Sequence, residues 1–123
     1  MSLATVFSRA LNGMNAPLVE VEAHLANGLP AFNIVGLPDT EVKESRDRVR
    51  AAILQSGFDF PSKKITVNLA PADLPKDSGR FDLPIAIGIL IASGQIMADD
   101  VAQYEFAGEL ALSGRLRPIR GAL

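Results

Sequence analysis

Cysteine is absent from this sequence, which excludes a disulfide framework and any metal site built on thiolates. Histidine occurs once, as His24, so no imidazole cluster of the kind that holds zinc can form. His24 falls on the polar side of an alternating segment and reads as an exposed strand residue. The opening order Met1-Ser2-Leu3-Ala4-Thr5-Val6 has no basic region followed by an apolar run, so no secretory signal is visible. Long hydrophobic runs are missing too. The most apolar stretch, Leu83 to Ala92, is broken by Pro84 and Gly88 and falls short of the ~20 residues that cross a bilayer. These absences give the expectation of a cytoplasmic chain with no membrane partner.

Familiar chemical motifs are missing as well. The phosphate-cradling Gly-x-x-x-x-Gly-Lys-Ser/Thr pattern does not occur, nor does Gly-x-Gly-x-x-Gly, so neither arrangement of backbone N–H groups around phosphates is encoded. Paired carboxylates occur as Asp99-Asp100, adjacent side chains that point apart in regular structure. A Ser-His-Asp arrangement lacks its base. A Ser–Lys dyad requires a serine at a strained turn or helix start and a lysine brought to it by the fold. Ser78 and Lys76 lie in a loop of that kind, and this reading stays open.

What is present is the composition of an ordinary globular protein. Hydrophobic residues make up 48% and charged residues 21%, far from the balance of a disordered chain. A length of 123 residues suffices to bury a core without covalent staples. Twelve basic against fourteen acidic residues leave a net charge of −2. That argues against a surface devoted wholly to nucleic acid, while leaving room for a local basic patch.

Periodicity predicts the elements. Residues 18–25 alternate, with Val19, Val21, Ala23 and Leu25 on one face and Glu20, Glu22 and His24 on the other, the pattern of a half-buried strand. Asn12-Gly13 and Asn27-Gly28 are turn signals. They make Thr5 to Ala10 and Ala31 to Val35 the flanking strands of an antiparallel meander. A helix follows over 40–56, with Asp39 or Thr40 as its N-cap and Gly57 positioned to end it. Val42, Val49, Ala52 and Ile53 share its apolar face. Glu41, Lys43, Glu44, Arg46, Asp47, Arg48 and Arg50 crowd the other, with Glu44–Arg48 and Asp47–Arg50 at favourable spacings. The interleaved acids favour a solvated face over phosphate contacts by Arg46, Arg48 and Arg50.

Lys64 to Leu69 alternates again as a strand, and residues 70–79, rich in proline and turn formers, form a loop of a length that usually has a job or a partner. Asp82 is the expected cap of a second helix, with Pro84 in its first turn. Apolar residues almost all round that helix imply burial between other elements, and Gly94 ends it. Tyr104 to Leu112 is read as a strand, with Ser113-Gly114 turning into Arg115-Leu116-Arg117-Pro118. The close at Arg120-Gly121-Ala122-Leu123, without a polar tail, gives the expectation of a fragment of a longer protein.

One long block is distinctive: Leu-Pro-Asp at 37–39, Val-Lys-Glu-Ser-Arg-Asp-Arg-Val-Arg-Ala-Ala-Ile at 42–53, Ile-Thr-Val-Asn-Leu-Ala-Pro-Ala-Asp-Leu-Pro-Lys at 65–76 and Phe-Asp-Leu-Pro-Ile-Ala-Ile at 81–87. Gly108-Glu109-Leu110-Ala111-Leu112-Ser113-Gly114 continues it. The chain resembles, across essentially its whole length, the N-terminal domain of the ComM/YifB family of magnesium-chelatase-related AAA+ ATPases. The resemblance implies an α+β, Lon-protease-like (ribosomal-protein-type) fold: a mixed, mostly antiparallel sheet with helices packed on one side, residues 1–123 forming one N-terminal domain. In that family an ATPase domain with the Walker motifs follows, and then a C-terminal domain. ATP and Mg are therefore expected outside these residues, and no cofactor within them. The family's full-length ComM proteins are described as hexameric, ATP-driven DNA motors that promote branch migration during natural transformation. The implied partners are the chain's own AAA+ domain and neighbouring subunits, with DNA a further candidate. The magnesium-chelatase relationship lies in the ATPase and does not by itself imply porphyrin chemistry.

The Lon relationship also bears on the dyad. Lon proteases carry the serine in a Gly-Pro-Ser-Ala-Gly turn at a helix start, and laying that turn on Gly79-Arg80-Phe81-Asp82 puts Arg80 at the serine's place. The lysine's place falls near Leu123. The resemblance thus implies a non-catalytic accessory domain of a DNA-remodelling ATPase, with no catalytic, cofactor-binding or metal residues. Lys76 and Arg80 flank the vestigial site, and Arg115, Arg117 and Arg120 gather near the chain end. Converging, they would form a basic patch that contacts DNA phosphates or a partner without sequence readout; dispersed, they are solubilising charges. The rival readings are a Ser–Lys peptidase using Ser78 and a pure oligomerisation module.

Overall fold

In a computed structural model, residues 2–10, 16–72, 74, 76, 79–97 and 99–117 are described. The architecture is mixed α+β, as expected. Strands β1 (Ser2–Arg9), β2 (Leu18–Ala26) and β3 (Ala31–Val35) precede helix α1 (Asp39–Gln55). Strand β4 (Lys64–Ala70), helix α2 (Asp82–Ala92), a 3-10 turn (Val101–Gln103) and the short strands β5 (Glu109–Leu110) and β6 (Leu116–Arg117) follow. Among the described residues no helix is long and apolar enough to cross a membrane.

The alternation read in β2 sets the layers. Val19, Val21, Ala23 and Leu25 are buried, and their neighbours complete the core rows. Val21 lies between Val6 of β1 and Leu69 of β4, while Ala23 lies between Ala4 and Val67. Both helices cover this face. Val49, Ala52 and Ile53 come from α1, and Ile85, Ala86, Ile89 and Leu90 from α2. Gly88 lets α2 approach the sheet closely, because a Cβ there would sit 3.2 Å from the Ala23 Cβ.

The meander expected from the first three strands does not form. β1 pairs with β2, but β3 pairs with β4, in parallel, and the sheet order is β1-β2-β4-β3. The physical reason lies in what each strand has to bury. β4 offers Ile65, Val67 and Leu69, all fully buried, whereas Ile34 is the buried residue of β3. The richer strand takes the centre and the shorter one the edge, with α1 as the crossover that a parallel pair requires.

Helix starts differ from the expectation as well. Pro38, not Asp39 or Thr40, is the N-cap of α1, and no side chain caps it. The Pro38 carbonyl accepts from the amides of Glu41 (2.8 Å) and Val42 (3.2 Å), while Asp39 and Glu41 complement the helix dipole from the first turn. Phe81, not Asp82, is the N-cap of α2, and no side chain caps it; Asp82 is the first helical residue, its amide donating to the Gly79 carbonyl. The C-terminal signals hold: Gly57 at φ +87° and Gly94 at φ +76° follow the two helices.

The strand expected over 104–112 contracts to Glu109–Leu110, plus a bridge between Phe7 and Glu105. Its backbone groups go to other partners. The Phe106 amide donates to the Phe7 carbonyl, the Gly108 amide to the Arg80 carbonyl, and Gly108 accepts from Leu83. The turn at Ser113-Gly114 does form, and β5 and β6 pair antiparallel around it.

Candidate functional site

The first turn of α2 carries Asp82, whose side chain is 1% exposed. Four hydrogen bonds converge on it. Ser45 Oγ donates to Oδ1 at 2.8 Å, and Arg48 donates through Nε to Oδ2 at 2.6 Å and through Nη2 to Oδ1 at 3.3 Å. The Leu110 amide supplies the fourth, to Oδ2 at 3.1 Å. One carboxylate therefore ties α1, α2 and β5 together. Burial pushes the Asp82 carboxyl above its usual range, against the opposing pull of Arg48, Ser45 and the Leu110 amide. The hydrogen bond to Asp82 in turn raises the Arg48 guanidinium, while burial works against it.

This pair corrects the sequence reading of both partners. The sequence pattern predicts Asp82 as a cap and Arg48 on the solvated helix face, yet Arg48 turns inward to 19% side-chain exposure. The expected Glu44–Arg48 contact is present at 3.6 Å. Asp47 pairs with Lys43 at 3.2 Å, where the spacing alone predicts Arg50. Two signals in the sequence could have located the buried pair: Arg48 borders the buried stripe of Ser45, Val49 and Ala52, and Asp82 is enclosed by Phe81 and Leu83-Pro84.

The residues expected to form a basic patch lie in three settings. Lys76 is buried, its amine donating to the carbonyls of Pro71 and, at 3.0 Å, Leu74. Arg80 is buried as well. Arg115 and Arg117 are exposed around the β5–β6 turn. Arg120 lies outside the described residues, as do Ser78 and Leu123, so the Ser78–Lys76 pairing falls outside them too. Glu109 connects part of the set: its carboxylate lies 3.9 Å from Arg117 Nε, and its side chain packs so closely on Gly79 that a Cβ there would sit 2.5 Å from Glu109 Cγ. The Gly79–Arg80 turn and Arg117 thus meet at one acidic side chain. His24 sits on the face of the sheet opposite the helices, half-buried, in register with Leu3 and Thr66. Among the described residues no three His, Asp or Glu side chains are grouped to hold a metal ion.

A second neighbourhood joins Arg46 and Arg50, which the sequence pattern puts on a solvated face, to two aromatic residues that it does not single out. The rings of Phe32 (β3) and Phe60 stand 5.4 Å apart, tilted at 45°. The Arg50 guanidinium lies over the Phe60 ring at 5.1 Å, a cation–π distance. One turn earlier on α1, Arg46 donates to the Phe32 carbonyl at 3.1 Å. Phe32, Phe60 and Arg50, with Lys63 at the rim, line a hollow of about 190 Å³ at the open edge of β3. The convergence depends on the β3–β4 pairing and so had no local signature.

The family described as subunit ChlI of Mg-chelatase matches residues 21–123. Over its full length the chain is 60% identical to the competence protein ComM of Haemophilus influenzae and 59% identical to the uncharacterized protein YifB of Salmonella typhimurium. It is 42% identical to the uncharacterized protein Rv2897c of Mycobacterium tuberculosis. The chain spans 24% of the length of each of these relatives.

Proposed function

Because the chain belongs to the family of subunit ChlI of Mg-chelatase, in its ComM/YifB group, we propose that it is a non-catalytic accessory domain of a ComM-like, ATP-dependent DNA-remodelling protein. ATP and Mg would act in an AAA+ domain elsewhere in the parent chain, and this domain would contact that motor, neighbouring subunits and DNA. The supporting observation is how the charged groups beside the α2 start are used. Asp82 is saturated by Arg48, Ser45 and the Leu110 amide, and the Lys76 amine is held by two loop carbonyls. Groups so engaged hold a scaffold together. A catalytic lysine needs its nitrogen free to take a proton from a nucleophile.

Among the described members of the expected patch, Arg115 and Arg117 stand exposed, so the phosphate contact is assigned first to them. Binding of a labelled branched DNA at low salt tests this: Arg115→Ala with Arg117→Ala should weaken it and flatten its salt dependence by about one unit of slope per lost phosphate contact. Unchanged binding would remove DNA contact at the β5–β6 turn. The peptidase alternative is tested with unfolded casein. Cleavage abolished by Ser78→Ala would establish it and overturn the accessory reading.

A further inference from the structure

We infer that the hollow at the open edge of β3 is a stacking site for one nucleobase and its phosphate, the repeating unit of single-stranded DNA. This deepens the DNA reading above and rests on it, but uses a surface distinct from the β5–β6 turn.

Phe32 and Phe60 are partly buried, packed against the core, and packing accounts for that buried part. It does not account for the hollow the rings share with Arg50 and Lys63. At about 190 Å³ the space is smaller than the ~300–1,000 Å³ of sites for drug-sized molecules. It suits a single flat ring. The Arg50 guanidinium covers a face of the Phe60 ring and offers a plane of its own, since bases stack on arginine planes as they do on aromatic rings.

Charge supplies the second half of the ligand. Arg50 and Lys63 both line the hollow, and no carboxylate is among the described residues that do. The nearby acid on this stripe of α1, Asp47, is paired with Lys43. The exposed Lys63 ammonium donates to Asn27 Oδ1 at 2.9 Å, which orients it, and Lys64 beside it is exposed too. A locally cationic rim on a chain of net charge −2 favours an anionic ligand at this edge. A base with its phosphate satisfies both the ring surface and the charge. Such a site reads no sequence, because every base has a π face.

The test is fluorescence anisotropy with labelled oligothymidylate at low salt. Its arms are a duplex of the same length, unlabelled dTMP as competitor, and the variants Phe60→Leu, Arg50→Glu and Arg115→Glu/Arg117→Glu. Circular dichroism confirms that each variant is folded. Arg50 is exposed, so Arg50→Glu keeps the test valid should Phe60→Leu fail to fold. Single strand should bind better than duplex, and Phe60→Leu or Arg50→Glu should weaken that binding roughly tenfold or more. Competition by dTMP at concentrations comparable to the strand's would assign the site to free nucleotides and overturn the strand assignment. Binding that is unchanged by Phe60→Leu and Arg50→Glu, but lost with Arg115→Glu/Arg117→Glu, would overturn this inference and leave the proposed function standing. No binding to any DNA would overturn both.

Discussion

Arg48 Nε and Asp82 Oδ2 lie 2.6 Å apart, and this ion pair fastens the middle of α1 to the first turn of α2. Removing one partner leaves the other charged and poorly solvated, which for a buried pair costs about 3–5 kcal/mol. Asp82→Ala should approach that loss, because it strands Arg48, Ser45 and the Leu110 amide together. Arg48→Ala should cost less, since Arg48 keeps some access to solvent and Asp82 retains two donors. Chemical denaturation of the two variants and the double variant should give a coupling energy within the ~0.5–3 kcal/mol range seen for contacting residues. Additive losses would show that the pair carries no interaction of its own.

The same carboxyl sets a pH dependence. Burial holds the Asp82 pKa above the ordinary value of 3.8, so just above that pH the folded chain binds more protons than the unfolded one. Asp82's contribution to stability therefore falls as pH rises through this window. Arg48→Met removes the strongest group opposing burial. The Asp82 pKa should then climb further and the window widen upward. Carboxyl carbon chemical shifts across a titration read the pKa, and urea midpoints at matched pH read the stability. A pKa that fell in Arg48→Met would contradict the balance described here.

How much of this was legible in the sequence depended on distance along the chain. The alternation of Val19, Val21, Ala23 and Leu25 placed β2 and its buried face correctly, because a strand's period is a local property. Gly57 closed α1 for the same reason. The position of β3 was not local. Strand pairing is decided by which strand has most to bury, and Ile65, Val67 and Leu69 outcompeted Ile34 for the place beside β2. The roles of Arg48 and Asp82 were hidden in the same way. Each residue type fits its expected surface or capping position, and only the docking of α1 on α2 sets them against each other. The hollow of Phe32, Phe60 and Arg50 required the sheet order to be known first.

At the exposed side of the molecule, Arg9 and Glu105 meet at 2.7 Å, close to where Phe7 bridges to Glu105. The hydrogen bond from Arg9 holds the Glu105 carboxyl below its usual range, with burial opposing. A depressed carboxyl pKa contributes stability that is present above the unfolded value of 4.5 and is lost as pH falls through the folded value. Both side chains are close to half exposed, so the contribution is small and should shrink with added salt. Arg9→Ala should return the Glu105 titration to the ordinary glutamate range. If it titrates unchanged in that variant, the contact does not persist in solution.

Gly36 and Gly57 both have positive φ, +102° and +87°, but their surroundings differ. A Cβ at Gly57 would meet nothing within 4 Å, whereas one at Gly36 would lie 2.4 Å from the carbonyl oxygen of Leu69. Gly57→Ala should therefore cost only the left-handed backbone strain, about 1–2 kcal/mol. Gly36→Ala adds a collision with backbone in the central strand β4, where no rotamer change can relieve it. Its loss should exceed that of Gly57→Ala by at least ~1 kcal/mol, within the range of overpacking penalties. Thermal unfolding of the two variants side by side measures the difference. Equal losses would mean that β3 withdraws from β4 at this point without cost, and that the edge strand is held more loosely than its ladder implies.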